Sequence, residues 1–163
     1  DGSELRHEMG TAKVDASVQY IMDTLAVDDA PLVICAYHRD VIEGITDALI
    51  AKGVDAWCIH GGHSATQRQS TVDTFVSGGT QVIVVSIPAC GTGMNGLQKV
   101  SQHAIMVELD WAQSAMWQME DRLHRFGQKG SVLITYLMVP DSLDPYMLDT
   151  ILQKSEVEEE IMR

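Results

Sequence analysis

Short apolar runs recur along the chain at residues 32–37 (LVICAY), 56–60 (AWCIH), 81–87 (QVIVVSI), 104–109 (AIMVEL) and 131–139 (SVLITYLMV). Each is apolar at consecutive positions, the pattern of a strand buried on both faces. Between them, apolar residues return with helical period at about 14–26, 40–52, 65–76, 113–126 and 143–154. Strands alternating with helices predict an α/β fold, a mainly parallel central sheet flanked by helices. Glycine and proline mark the joints at Lys52-Gly53, Gly61-Gly62, Ser77-Gly78-Gly79, Pro88 and Gly127. Asp141-Ser142 stands where the last helix needs a cap. No repeat or long linker divides the pattern. Residues 1–12 are weakly patterned, 13–154 read as one domain, and 155–163 form an acidic tail.

Composition fits that picture. A chain of 163 residues, 45% apolar and 21% charged, can bury a real core. Lys and Arg number 11 against 23 Asp and Glu, a formal charge of −12. Holding nucleic acid through charge alone needs clustered cations, so any such contact must be local or shared with another domain. Cys35, Cys58 and Cys90 are odd in number and set in apolar surroundings, as expected of reduced core thiols. No apolar run approaches the roughly 20 residues of a membrane span, and no signal peptide is visible. The expectation is an intracellular, soluble protein. The start at Asp1-Gly2-Ser3, without Met, suggests a piece of a longer one.

Two stretches invite chemistry. The first is GTGMNG at 91–96, literally G-x-G-x-x-G, with Asp110 about 20 residues on at a strand end, as in a dinucleotide-binding fold. That fingerprint should open a helix of several turns, yet only residues 97–102 separate Gly96 from the next apolar run. Two other readings stay open: glycines supplying positive φ in a turn, or glycines that let backbone and Thr92 or Asn95 approach a phosphate or ribose.

The second is QMEDRLHRFGQ at 118–128. At about 100° per residue, Gln118, Arg122 and Arg125 fall within roughly 60° of one another, opposite Met116, Met119, Leu123 and Phe126. One stripe packs; the other offers an amide and two guanidiniums. This could be a solvated face with an Asp121–Arg125 pair worth about 0.3–0.5 kcal/mol. Arginine is also the side chain suited to phosphoryl oxygens gaining charge. Cys58, His60 and His63 are near enough in sequence to suggest a metal, but a fourth ligand and a recognised spacing are missing, so no metal site is expected. Trp111 and Trp117 read as packing residues.

Taken together, ACGTGMNGL, a strand ending in LDW and QMEDRLHRFGQ resemble consecutive motifs of the C-terminal RecA-like lobe of Swi/Snf-type superfamily 2 helicase-like ATPases. These DNA translocases carry an A-G-G-x-G-x-N-L loop, a D-x-x-W-N-P-like segment and a Q-A-x-x-R-x-x-R-x-G-Q helix. IHGGHS at 59–64 followed by Gln67-Arg68, and the run at 32–49, resemble upstream parts of the same lobe. The likeness covers roughly residues 5–154, with a flavour closest to annealing helicases. Cys90 replaces a family glycine, Gly96 stands where Leu is usual, and Ala112-Gln113 replaces Asn-Pro.

The resemblance implies a three-layer, P-loop NTPase-like lobe that completes an ATP site against an N-terminal RecA-like lobe. Arg125 would be the arginine finger, Arg122 a second phosphate contact, and Gln118 an orienter of the triphosphate or its water. Gly91, Gly93 and Asn95 would line the nucleotide edge. His38, Arg39, Gly61, Gly62, His63 and Ser86 would meet the backbone of double-stranded DNA, weakly for this lobe alone. No G-x-x-x-x-G-K-[ST] loop and no D-E-x-H or D-E-A-H motif occurs in the chain. Mg²⁺ and the phosphate lysine would therefore belong to the N-terminal lobe, and this chain alone should have negligible ATPase activity. The setting would be cytoplasmic in a bacterium or virus and nuclear in a eukaryote. The rival function is a non-catalytic nucleic-acid or protein interaction module that keeps the lobe's shape.

Overall fold

The computed structural model of the chain describes residues 2–91, 103–109 and 133–137. In chain order it contains α1 (Gly2–Val27), β1 (Leu32–Ala36), α2 (Arg39–Ala51), β2 (Ala56–Ile59), α3 (Ala65–Val76), β3 (Val82–Ser86), a 3₁₀ turn (Pro88–Gly91), β4 (His103–Met106) and β5 (Leu133–Tyr136). The strands form one sheet in the order β2-β3-β1-β4-β5, every neighbour parallel. All five expected strands are present, and the architecture is the expected α/β one. The helices expected at 113–126 and 143–154, and the acidic tail, lie outside the described residues.

Central position explains the unbroken apolar runs. Every residue of β1 and β3 is buried, because helices cover both faces. Alternate side chains serve different layers. Val33 and Cys35 of β1, with Ile83 and Val85 of β3, join Val72 and Phe75 of α3. Ile34, Val82 and Val84 join Val18 and Ile21 of α1 and Ile42, Ile45 and Leu49 of α2 on the other face. Each such aliphatic or aromatic side chain stabilises the fold by about 1.5–3 kcal/mol when fully buried. Cys35 is buried, Cys58 is half-buried, and neither is in a disulfide.

Local chemistry sets the helix ends. Ser64 Oγ accepts from Gln67 N at 3.1 Å while Gln67 Oε1 accepts from Ser64 N at 2.8 Å, a reciprocal capping box that starts α3 at Ala65. Helix α2 stops where Gly53 takes φ +86°, with Gly53 N and Val54 N donating back to Ile50 O and Leu49 O. Gly78, also at φ +86°, follows α3 in the same way.

Helix α1 differs from expectation by starting at Gly2 rather than near residue 14. The residues ahead of Lys13 lack a clear stripe, but Leu5, Arg6, Glu8, Met9 and Ala12 are good helix formers, opposed inside the helix mainly by Gly10 and Thr11. The anchor is farther along: Lys13, Ser17, Val18 and Ile21 are buried. Two of those four are polar, which hides the stripe from a hydrophobicity reading. No helix among the described residues is long and apolar enough to cross a membrane.

Candidate nucleic-acid interface at the carboxyl edge of the sheet

Because all strands run the same way, their carboxyl ends share one edge, the usual ligand-binding edge of an open α/β sheet. The loop after β1 brings His38 and Arg39 there, and the turn after β2 brings His60, Gly61, Gly62 and His63. Ser86 ends β3 in register with Ala36, and Glu108 follows β4.

Arg39 is the most accessible cation of the set, with a side chain 64% exposed. Its Nε donates to Glu43 Oε1 at 3.1 Å, one turn along α2, using one of five guanidinium N–H donors. The same Glu43 oxygen lies 3.1 Å from His60 Nε2. Arg39 reaches over the turn after β2, although β3 lies between β1 and β2 in the sheet. A Cβ at Gly62 would stand 2.7 Å from Arg39 Nη1 and 2.9 Å from His60 Cε1. Glycine at 62 is therefore a matter of close approach, whereas Gly61 has open space around it.

The turn is held by its histidines. Gly62 N donates to His60 Nδ1 at 3.0 Å, His60 N donates to His63 Nδ1 at 3.2 Å, and the two rings stack with centroids 3.9 Å apart. Arg68 Nη1 donates to His63 O at 3.0 Å, tying the turn to α3. Cys58, His60 and His63 bring three possible ligand atoms within 4.8 Å of one another. Both rings, however, already use the Nδ1 lone pair to accept a backbone N–H, so each neutral ring carries its proton on Nε2. A metal-bound histidine normally donates from its second nitrogen, the reverse of this arrangement. Burial also pushes the Cys58 thiol up, away from the thiolate a metal would need. The cluster is built as a hydrogen-bonded turn.

Burial, then His63 and Arg39, hold His60 below the usual histidine range despite the opposing pull of Glu43. Burial lowers His103 likewise. In the unfolded chain both would take a proton near their ordinary 6.5. Since the unfolded state binds the proton more readily, the stability from neutral His60 and His103 is complete above that value and is lost as pH falls below it. Melting temperature should therefore drop between about pH 7.5 and 5.5, and His60→Gln should flatten the drop. A melting temperature unchanged across that range would contradict the assignment.

The loop after β1 has a different brace. Glu108, 2% exposed, accepts from Tyr37 N at 3.0 Å and His38 N at 2.9 Å through Oε1, and its Oε2 lies 2.7 Å from His38 Nδ1. The short contact to a carboxylate places the ring proton on Nδ1. Sequence reading missed Glu108, Glu43 and Lys13. Glu108 did leave a signal, being the one charge inside the apolar run 104–109. Ser86 is 5% exposed and offers little surface to a phosphate. Gly91 closes the 3₁₀ turn after β3. Gly93, Asn95, Gln118, Arg122 and Arg125 lie outside the described residues.

A parallel sheet with its polar loops gathered at the carboxyl edge fits a RecA-like lobe, and residues 12–127 match the helicase conserved C-terminal domain. The chain belongs to that family. It is 33% identical over 147 residues to the SWI/SNF-related matrix-associated actin-dependent regulator of chromatin subfamily A-like protein 1 of Xenopus tropicalis, covering 90% of this chain and 15% of that protein. It is 32% identical over 147 residues to the DNA annealing helicase and endonuclease ZRANB3 of Homo sapiens, covering 90% of this chain and 13% of that protein. The chain thus spans a small part of these relatives. The C-terminal part of the Fun30 ATPase domain shares its fold, with a TM-score of 0.74 at 21% identity over 85% of this chain and 44% of the other.

Proposed function

We propose that this chain is the C-terminal motor lobe of an ATP-dependent translocase that moves along double-stranded DNA. The observation that carries the reading is the gathering of Arg39, His38 and the Gly61–His63 turn at one edge of a helicase-family lobe, braced by Glu43, His60 and Glu108. The spare guanidinium donors of Arg39 suit phosphate oxygens and are indifferent to sequence. Two bracing carboxylates and an acidic chain make the contact weak unless a second lobe shares it.

ATP supplies the phosphoryl group whose hydrolysis drives the motion. In this reading Arg125 stabilises charge on the γ-phosphoryl oxygens, Arg122 adds a second phosphate contact, and Gln118 orients the triphosphate or the attacking water. Gly91, Gly93 and Asn95 line the nucleotide edge. Mg²⁺ requires oxygen ligands, which the sulfur and nitrogens of Cys58, His60 and His63 do not offer. The metal and the phosphate lysine then come from the N-terminal lobe. Closure and reopening of the two lobes would shift the strand contacts in steps.

The test joins this chain to an N-terminal lobe bearing the phosphate loop and acidic metal motif. The joined protein should hydrolyse ATP with double-stranded DNA stimulation, and this chain alone should not. In the joined protein Arg39→Ala should weaken DNA binding about equally across sequences and reduce the salt slope by about 1. A joined protein indifferent to DNA, with this chain binding a protein partner instead, would favour the interaction-module reading.

A further inference from the structure

We propose that Glu108 is a positioning residue that couples the strand end leading to Gln118, Arg122 and Arg125 with the loop that meets the DNA backbone. It rests on the motor reading above. A buried carboxylate is costly to desolvate unless its oxygens are filled. Here two successive backbone N–H groups and an imidazole fill them, a small anion nest made by the loop after β1. His38 is the N-cap residue of α2 but makes no side-chain cap bond of its own. The loop's anchor is supplied from β4's end, 70 residues away in sequence.

That anchor stands at a junction. Strands β1 and β4 pair up to Cys35 and Met106, and Val107 N still donates to Cys35 O at 2.8 Å. Glu108 continues the link beyond the last strand pair, into the start of α2 that carries Arg39. Val107 O is held from the other side by Lys13 Nζ at 2.7 Å. In sequence, residues 110–125 follow directly, with Gln118 ten positions after Glu108. A displacement of 107–109 caused by nucleotide closure would pull the Tyr37–Arg39 loop with it. A neutral or shorter side chain would loosen that transmission while leaving Arg39 and residues 110–125 unchanged in sequence.

The test is E108Q in the joined two-lobe protein. Glutamine keeps an acceptor for the two backbone N–H groups but turns a donor toward His38 Nδ1, so the ring proton should move to Nε2, visible in the ¹⁵N shifts of that ring. DNA stimulation of ATP turnover should fall about 5-fold or more, as should base pairs moved per ATP, with half-saturating ATP nearly unchanged. Should E108Q not fold, E108D keeps the charge, withdraws one methylene and is expected to show the same uncoupling. Wild-type stimulation and step yield in whichever variant folds would overturn the proposal. A wild-type joined protein that shows no DNA-dependent hydrolysis at all would instead remove the motor reading on which it rests.

Discussion

On the proposed motor reading, replacing Arg125 with alanine in a protein that joins this chain to an N-terminal lobe bearing the phosphate loop is expected to lower DNA-stimulated ATP turnover by about 10³–10⁵-fold. ATP binding should stay near wild type. The asymmetry follows from the role of an arginine finger: it stabilises the charge distribution of the transition state more than that of bound ATP, so its loss changes kcat far more than affinity. Arg125→Lys should recover little, because an ammonium keeps the charge but lacks the planar fork that engages two oxygens. Arg122→Ala should cost less if Arg122 is a secondary contact. Turnover and nucleotide affinity, measured together by steady-state hydrolysis and equilibrium titration, separate these cases. Near-normal turnover in Arg125→Ala would remove the arginine finger from position 125. A loss confined to affinity would make it a ground-state contact instead.

The sheet was legible because its physics is local and redundant. Five runs, apolar at consecutive positions, are what strands covered on both faces require, and all five became parallel strands. The end of α2 followed from Gly53, whereas the start of α3 is set by a Ser64–Gln67 capping box that the sequence reading did not name. Part of the site followed from the same logic. Residues after parallel strands gather at one edge, which is where His38, Arg39 and the Gly61–His63 turn lie, but it was the family resemblance that singled them out. What could not be read were pairings fixed only by packing. Glu108 was visible as a charge in an apolar run, but nothing in its neighbourhood named Tyr37 and His38 as its donors. Glu43 drew no notice in the sequence; the fold brings Arg39, one turn back on α2, and His60, from the turn after β2, to the same Glu43 oxygen. Gly62 looked like a turn glycine, yet a Cβ there would also crowd the buried His60 ring.

Lys13→Ala is expected to destabilise the fold by about 3 kcal/mol although Lys13 lies outside the apolar core. Lys13 is 4% exposed, and its Nζ donates to Val107 O at 2.7 Å and Leu137 O at 2.9 Å. One side chain of α1 thus closes the carboxyl ends of β4 and β5, where Leu137 N donates to Met106 O at 2.9 Å. Hydrogen bonds from a charged donor contribute about 1.5–3 kcal/mol each, and carbonyls stripped of them stay desolvated unless water enters. Lys13→Met keeps most of the stem's packing but not the charge, so its loss should be smaller, about 2 kcal/mol. Urea denaturation of the two variants should lower the midpoint in that order with little change in slope. Faster amide exchange should appear in α1 and at the ends of β4 and β5 before it appears in β1 or β3. The opposite outcome has a clear physical meaning. If Lys13→Met were as stable as the wild type or more so, desolvating the ammonium would cost as much as its bonds return. Lys13 would then fix where α1 lies without adding net stability.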